Sequence, residues 1–125
     1  MRFMASQTNE GMQDVEKLVR EYQMVQEQLR SATMQLDQLQ GQKAELKRAN
    51  EEITASAGKV YITVGGVIVE TTKEKALADL KERSELTEVR LTSITKQFND
   101  FKAREEKLGE KLTQMYKQSQ GSGGS

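Results

Sequence analysis

The chain has 125 residues, of which 35% are hydrophobic and 30% are charged, a composition typical of long solvent-exposed helices rather than of a compact globular core. It contains no cysteine and no histidine, which excludes disulfides, a thiolate nucleophile and the commonest metal-binding side chain. Nineteen basic residues balance nineteen acidic ones, so no net field favours nucleic acid or an anionic membrane as a partner.

The first half of the chain carries a heptad repeat. From Val15 onward, apolar residues recur at alternating steps of three and four, which is typical of a coiled-coil seam at heptad positions a and d. Position a holds Val15, Tyr22, Leu29, Leu36, Lys43 and Asn50, and position d holds Leu18, Val25, Ala32, Leu39, Leu46 and Ile53. The pattern predicts a helix over about residues 8–56, ended near Gly58, which can adopt the left-handed cap.

The next segment, at about residues 59–70, has the alternating pattern of a β-hairpin. Gly65 and Gly66 lie at its centre, and glycine reaches the positive φ angles that a two-residue turn requires. This turn pairs Val64/Val67, Thr63/Ile68, Ile62/Val69, Tyr61/Glu70 and Val60/Thr71. One face is then almost wholly aliphatic, and the other is mixed. Because a lone two-stranded hairpin is marginal in water, we expect it to join strands of other chains.

A second heptad helix is predicted at about residues 72–118, with Thr71 as N-cap and Glu74 completing a capping box. Position a holds Leu77, Ser84, Leu91, Phe98, Glu105 and Leu112, and position d holds Leu80, Thr87, Ile94, Phe101, Leu108 and Met115. Residues 119–125 resemble a flexible linker. Because a short hairpin joins two helices of similar length, we expect them to run antiparallel, with paired residue numbers summing to about 130. The polar seam residues of both helices then meet near the hairpin, where they can specify the register.

Two heptad helices flank the run Lys-Val-Tyr-Ile-Thr-Val-Gly-Gly-Val-Ile-Val-Glu at residues 59–70, and Thr72-Lys73-Glu74 opens the second helix. This arrangement resembles the prefoldin family, over roughly residues 10–118. The single hairpin favours the β class, since α-class subunits carry two. The resemblance implies a mainly α fold, a long antiparallel two-helix coiled coil whose hairpin assembles into an intersubunit β-barrel.

The resemblance also implies a function. The chain is expected to be a subunit of a hexameric, ATP-independent holdase that binds non-native polypeptides at its coiled-coil tips and passes them to a group II chaperonin. The implied partners are prefoldin α-type subunits and further β-type subunits, together with the unfolded clients and the chaperonin. No enzymatic activity, cofactor or metal is expected.

Two groups of residues are the candidate sites. The assembly hairpin comprises Val60, Tyr61, Ile62, Val64, Val67, Ile68 and Val69. The tip residues, expected to contact clients, are Met4, Met12, Val15, Val19, Leu112, Met115 and Tyr116. Methionine suits such a surface because its side chain adapts to many partners. Val15, Leu112 and Met115 occupy seam positions, and packing on one another explains them equally well.

Other functions find little support in the sequence. The basic residues near Lys102 are interleaved with acidic ones, which is typical of a solvated helix face. No Lys-Ser/Thr pair follows Gly65-Gly66, so this is not a phosphate-binding loop. No apolar run approaches the roughly 20 residues of a membrane span, and no apolar leader opens the chain, so a cytoplasmic protein is expected.

The rival interpretation is a structural scaffold or tether that dimerises through its hairpin; unlike a prefoldin β subunit, it needs no α-type partner.

Overall fold

The computed structural model describes the backbone of residues 2–124 and the side chains of residues 11–119. The chain is mainly helical: α1 (Arg2–Ala55), β1 (Val60–Val64), β2 (Val67–Thr71) and α2 (Lys73–Gly124) follow in that order. The two strands form an antiparallel sheet that connects the two long helices, as predicted. The flexible tail expected at residues 119–125 lies almost wholly outside the described side chains and stays a prediction.

The chain divides into two compact units. The terminal unit consists of Met1–Thr33 and Lys96–Ser125, and the hairpin unit consists of Met34–Thr95. Over the backbone that the structure describes, neither helix has a stretch that is long and apolar enough to cross a membrane.

In the terminal unit, the two helical segments pack along the predicted seam. Val25, Ala32 and Leu108 are buried there. Tyr22 packs against Gly109, because its Cε2 atom lies 3.6 Å from the position that a Cβ atom on this glycine would occupy. The residue numbers of this pair sum to 131, so the antiparallel alignment predicted from the heptads is confirmed in this unit.

The hairpin unit shows the same alignment. The Lys43 Nζ atom lies 2.7 Å from a carboxylate oxygen of Glu88, a pair whose numbers again sum to 131. Leu80, Leu91 and Ile94 of α2 are buried. Apolar side chains of the two helices therefore shield one another in this unit, as the heptad pattern predicts.

The seam of α1 departs from the prediction in the hairpin unit. Lys43 and Asn50 occupy predicted seam positions but are exposed, whereas Ala49 is half-buried. A lysine ammonium and an asparagine amide both favour water, so the small Ala49 side chain takes the place beside α2. Thr87 is buried, and its hydroxyl donates a hydrogen bond to the Arg83 carbonyl at 2.9 Å. This polar side chain is thus satisfied within α2 itself.

The N-cap of α2 is Thr72, so the predicted cap at Thr71 is wrong. The Thr72 hydroxyl oxygen accepts a hydrogen bond from the Lys75 backbone N–H at 3.2 Å, the geometry of an N-cap. Thr71 is the last residue of β2 and pairs with Val60. Glu74 then lies in the first turn of α2, where a carboxylate interacts favourably with the helix dipole.

The predicted glycine cap of α1 is also wrong. Among the described residues, positive φ angles occur at Gly65 and Gly66, so Gly58 does not adopt the left-handed conformation. Instead, the Ser56 N–H donates to the Ile53 carbonyl at 3.2 Å, and the Gly58 N–H donates to the Ser56 hydroxyl at 3.3 Å. The end of α1 is thus closed by a tight turn rather than by a glycine.

Candidate functional site

The connecting hairpin has the turn that its sequence requires. Gly65 and Gly66 have φ angles of 55° and 82°, the combination that a type I′ turn needs and that side-chain-bearing residues rarely adopt. All five predicted pairs are present in the sheet, from Val64↔Val67 at the turn to Val60↔Thr71 at its base. Because side chains alternate along a strand, this register decides which of them share a face.

The aliphatic face of the hairpin is covered at its base and uncovered near the turn. Val60 is buried, with 8% of its surface exposed, and Ile62 is half-buried. Val64, Val67 and Val69 on the same face are exposed, Val67 to 62%. The described part of the chain therefore shields the base of this face and leaves the part near the turn exposed.

The opposite face of the hairpin is exposed as well. Ile68 is 72% exposed, and Tyr61 is also open to solvent. Glu70 lies 3.9 Å from Lys59 in an exposed ion pair, a contact that contributes little in water. A sheet with exposed apolar side chains on both faces is a typical interaction surface, and its two outer strand edges are available for further strands.

The tip residues fall into two groups by exposure. Met12, Val15, Val19 and Tyr116 are exposed. Leu112 and Met115 are half-buried, as expected for seam positions. The side chain of Met4 lies outside the described residues.

A shallow groove in the terminal unit contains part of this region. Leu18 and Met115 supply apolar lining. The remaining lining residues are charged or amide side chains, namely Asp14, Lys17, Glu21, Lys111, Gln114 and Gln118. Such a groove offers a small apolar contact surrounded by groups that can hydrogen-bond, which suits a weak and adaptable partner.

Sequence reasoning missed one residue of the hairpin unit. The Lys73 ammonium donates hydrogen bonds to the Thr54 carbonyl at 2.6 Å and to the Ser56 carbonyl at 3.3 Å. A basic residue at the first position of a helix is unfavourable beside the positive end of the helix dipole. That mismatch is the signal in the sequence that could have identified Lys73.

The described side chains include no group of three or more acidic residues that could hold a metal ion. The ion pairs of the hairpin unit lie on helix and strand surfaces with more than two-fifths of each side chain exposed, for example Arg83 with Asp79 at 3.0 Å. Solvated pairs of this kind are typical of helix surfaces rather than of catalytic clefts.

Comparisons with known proteins agree with this geometry. A family model described as "Prefoldin subunit" matches residues 16–119. The chain is 39% identical to the prefoldin β subunit of Pyrococcus abyssi over 103 residues, which cover 81% of this chain and 82% of the relative. It is 38% identical to that of Thermococcus kodakarensis over 108 residues, 85% of this chain and 86% of the relative. The crystal structure of the prefoldin β subunit from Thermococcus strain KS-1 is similar, with a TM-score of 0.62, 37% identity and coverage of 87% and 91% of the two chains.

Proposed function

Because this chain belongs to the prefoldin family of non-enzymatic chaperones, we propose that it is the β-type subunit of a hexameric, ATP-independent holdase. In this proposal it acts in the cytoplasm, assembled with α-type and further β-type subunits through the hairpin. The tip residues hold non-native polypeptides, which then pass to a group II chaperonin.

The exposed apolar hairpin is the observation that carries the proposal. Val64, Val67 and Ile68 lie on a two-stranded sheet whose turn holds the pairing in register. Fully burying one such side chain is worth about 1.5–3 kcal/mol, so several of them buried together supply a strong driving force for association. Strands of neighbouring subunits that pair with the free edges form the proposed intersubunit β-barrel.

Client binding rests on the exposed members of the tip residues. Met12, Val19 and Tyr116 offer apolar surface, and a methionine side chain fits many shapes. Each contact is weak. Several subunits that engage one client at the same time raise the overall affinity by avidity, without any nucleotide-driven step.

Replacing Val67 with aspartate tests the assembly step. Val67 is exposed in the subunit, so Val67→Asp leaves the helical circular dichroism unchanged, but it places an unpaired charge in the proposed barrel. We expect association with an α-type subunit to weaken about 100-fold or more, measured by native mass spectrometry across a concentration series. Ile62 is less suitable because it is already half-buried within the subunit.

The matched control is Met34→Asp, which introduces the same charge at a similarly exposed apolar residue of α1 and should leave the hexamer intact. A hexamer of normal mass formed by Val67→Asp would contradict assembly through the hairpin. If the chain instead forms a stable dimer that does not bind the α-type subunit, the rival scaffold function is favoured.

A triple variant tests client binding. Met12→Ser, Val19→Ser and Tyr116→Ser remove exposed apolar surface from the tip residues, and the hexamer should still form. Protection of an unfolding client against aggregation, followed by light scattering, should fall severalfold because the avidity of several weak contacts is lost. The control triple Met34→Ser, Leu86→Ser and Val89→Ser changes apolar residues of the hairpin unit that are at least as exposed, and it should protect normally.

Protection by the unaltered hexamer should be the same with and without ATP and magnesium. A normal level of protection by the tip variant would show that clients bind elsewhere, and a nucleotide effect on client affinity would contradict the ATP-independent mechanism.

A further inference from the structure

Lys73 joins the two chain segments from which the hairpin emerges. Its ammonium group binds the carbonyl oxygens of Thr54 and Ser56, at the end of α1, while its backbone begins α2. The last carbonyl groups of a helix lack partners within the helix, so a cation that binds two carbonyls there replaces the missing hydrogen bonds. The residues immediately before and after the hairpin are thereby tied together.

The positive charge of Lys73 is favourable for α1 and unfavourable for α2. A cation is favourable at the C-terminal end of a helix, and α1 has no basic residue in its own last turn. Lys73 stands at the N-terminal end of α2, where a cation is unfavourable and where Glu74 supplies the favourable charge. Although Lys73 belongs to α2, its charge therefore stabilises the C-terminal end of α1.

The segment between α1 and β1 has few other restraints. The Gly58 N–H bonds locally to the Ser56 hydroxyl at 3.3 Å. The Lys59–Glu70 pair is 3.9 Å long and exposed on both sides. Exposed pairs of this length contribute little. The Lys73 hydrogen bond to the Thr54 carbonyl is exposed too, but it is charge-assisted and, at 2.6 Å, much shorter, so it is the better-formed polar restraint on the base of the hairpin.

We infer that Lys73 is a positioning residue that sets the direction in which the hairpin leaves the helices and so prepares it to pair with neighbouring subunits. The consequence for assembly rests on the proposed function. A surface that is already oriented loses less conformational freedom on binding, which raises its affinity.

The test compares three variants of the full chain. Lys73→Met keeps the long apolar stem but removes the ammonium group, and Lys73→Arg keeps the charge and the donors. Lys75→Met is the matched control, because the Lys75 side chain lies two residues away and makes no polar contact in the part of the chain that the structure describes.

The orientation of the hairpin can be measured on the chain alone. Because the sequence has no cysteine, Glu52→Cys and Thr63→Cys place two spin labels at unique exposed sites, one on α1 and one on β1. We expect the distance distribution from pulsed electron paramagnetic resonance to broaden about twofold in Lys73→Met and to stay narrow in Lys73→Arg and Lys75→Met. An unchanged distribution in Lys73→Met, even with a lowered melting temperature, would overturn the inference.

Association with an α-type subunit provides the second measurement. We expect it to weaken about tenfold in Lys73→Met and to recover in Lys73→Arg. If the unaltered chain fails to associate with an α-type subunit, the proposed function fails while the label distances still decide the role of Lys73. Broadened distances with undiminished association would overturn the link between orientation and assembly.

Discussion

The helix seam and the hairpin use the same kinds of apolar residue in opposite ways. Val25 and Ile94 of the seam are 2% and 7% exposed, whereas Ile68 of the hairpin is 72% exposed. The seam residues find partners on the other helical segment of the same unit. The hairpin residues near the turn are not covered by any of the residues that the structure describes, although their alternation is as regular as the heptads.

This difference shows that an apolar pattern predicts which residues need to be buried. It does not show whether the same chain or another chain covers them. A period of seven is satisfied within one chain when two helices fold back on each other. A hairpin with alternating apolar residues needs more strands to cover it than the two found in the described backbone, residues 2–124. The seam is therefore expected to determine the stability of the chain, and the hairpin to determine its association in the proposed assembly. Substitutions in the two regions should separate these properties.

The largest effect on the stability of the isolated chain is expected in the seam. Ile94→Ala removes a buried side chain and leaves a cavity, which costs about 2–5 kcal/mol of unfolding free energy. Val89→Ala on the same helix removes methyl groups from an exposed position and should change stability by less than about 0.5 kcal/mol. Urea unfolding followed by circular dichroism measures both, and equal losses would show that the seam is not the core.

Two glycines should respond to alanine with opposite signs. Gly66 has a φ of 82°, so Gly66→Ala strains the turn by about 1–2 kcal/mol. Gly41 lies within α1, and a Cβ atom there meets nothing within 4 Å, so Gly41→Ala should stabilise the helix by about 1 kcal/mol. Amide hydrogen exchange in the strands reports the first change and urea unfolding the second. Changes of the same sign in the two regions would contradict this assignment.

The ion pair between Lys43 and Glu88 should contribute less to the free energy of unfolding than the seam and turn residues do. Both side chains are more than half exposed, so a double-mutant cycle with alanine should give a coupling energy of about 0.2–1 kcal/mol despite the 2.7 Å distance. The coupling should shrink in 1 M salt, where the Debye length is about 3 Å. The pair Glu27–Arg30 within α1 serves as a comparison. A coupling that is large and independent of salt would mean that the pair is shielded from solvent.

The smallest effect on the isolated chain is expected from Ile68→Thr. Ile68 is already in water, and threonine is also β-branched, so the unfolding free energy should stay within about 0.5 kcal/mol of the original. Association with an α-type subunit should nevertheless weaken about tenfold, as native mass spectrometry can measure. A loss of stability without a loss of association would reverse the roles assigned to the hairpin and the seam.

Local patterns predicted much of this structure. All five strand pairs were predictable because a two-residue glycine turn leaves a single register available. The a and d positions of α2 from Leu77 to Met115 are all buried or half-buried, as the heptads predict. In α1, periodicity alone could not show that the side chains of Lys43 and Asn50 are exposed to solvent and that Ala49 is half-buried instead.

The errors at the helix ends arose from contacts that no local pattern reveals. Thr71 and Thr72 are both suitable N-caps, and the choice falls on Thr72 because Thr71 is needed to pair with Val60. Gly58 was a reasonable left-handed cap for α1. The carbonyls there are bound instead by Lys73, a residue beyond the hairpin, which sequence proximity could not indicate. The proposed association of the hairpin with other chains likewise cannot be read from the contacts of a single chain.

The two-residue turn between β1 and β2 also orders the events of folding during synthesis. α1 is made first, so the seam side chain of Val25 stays in water while α2 is translated, for seconds at about 5–20 residues per second. A completed hairpin closes within about 1–10 μs, long before the next residue is added. Contacts can then grow from Lys43–Glu88 to Tyr22–Gly109, with only a short loop to close at each step. The sequence contains no proline, so no prolyl isomerisation slows the stepwise formation of contacts between the helices.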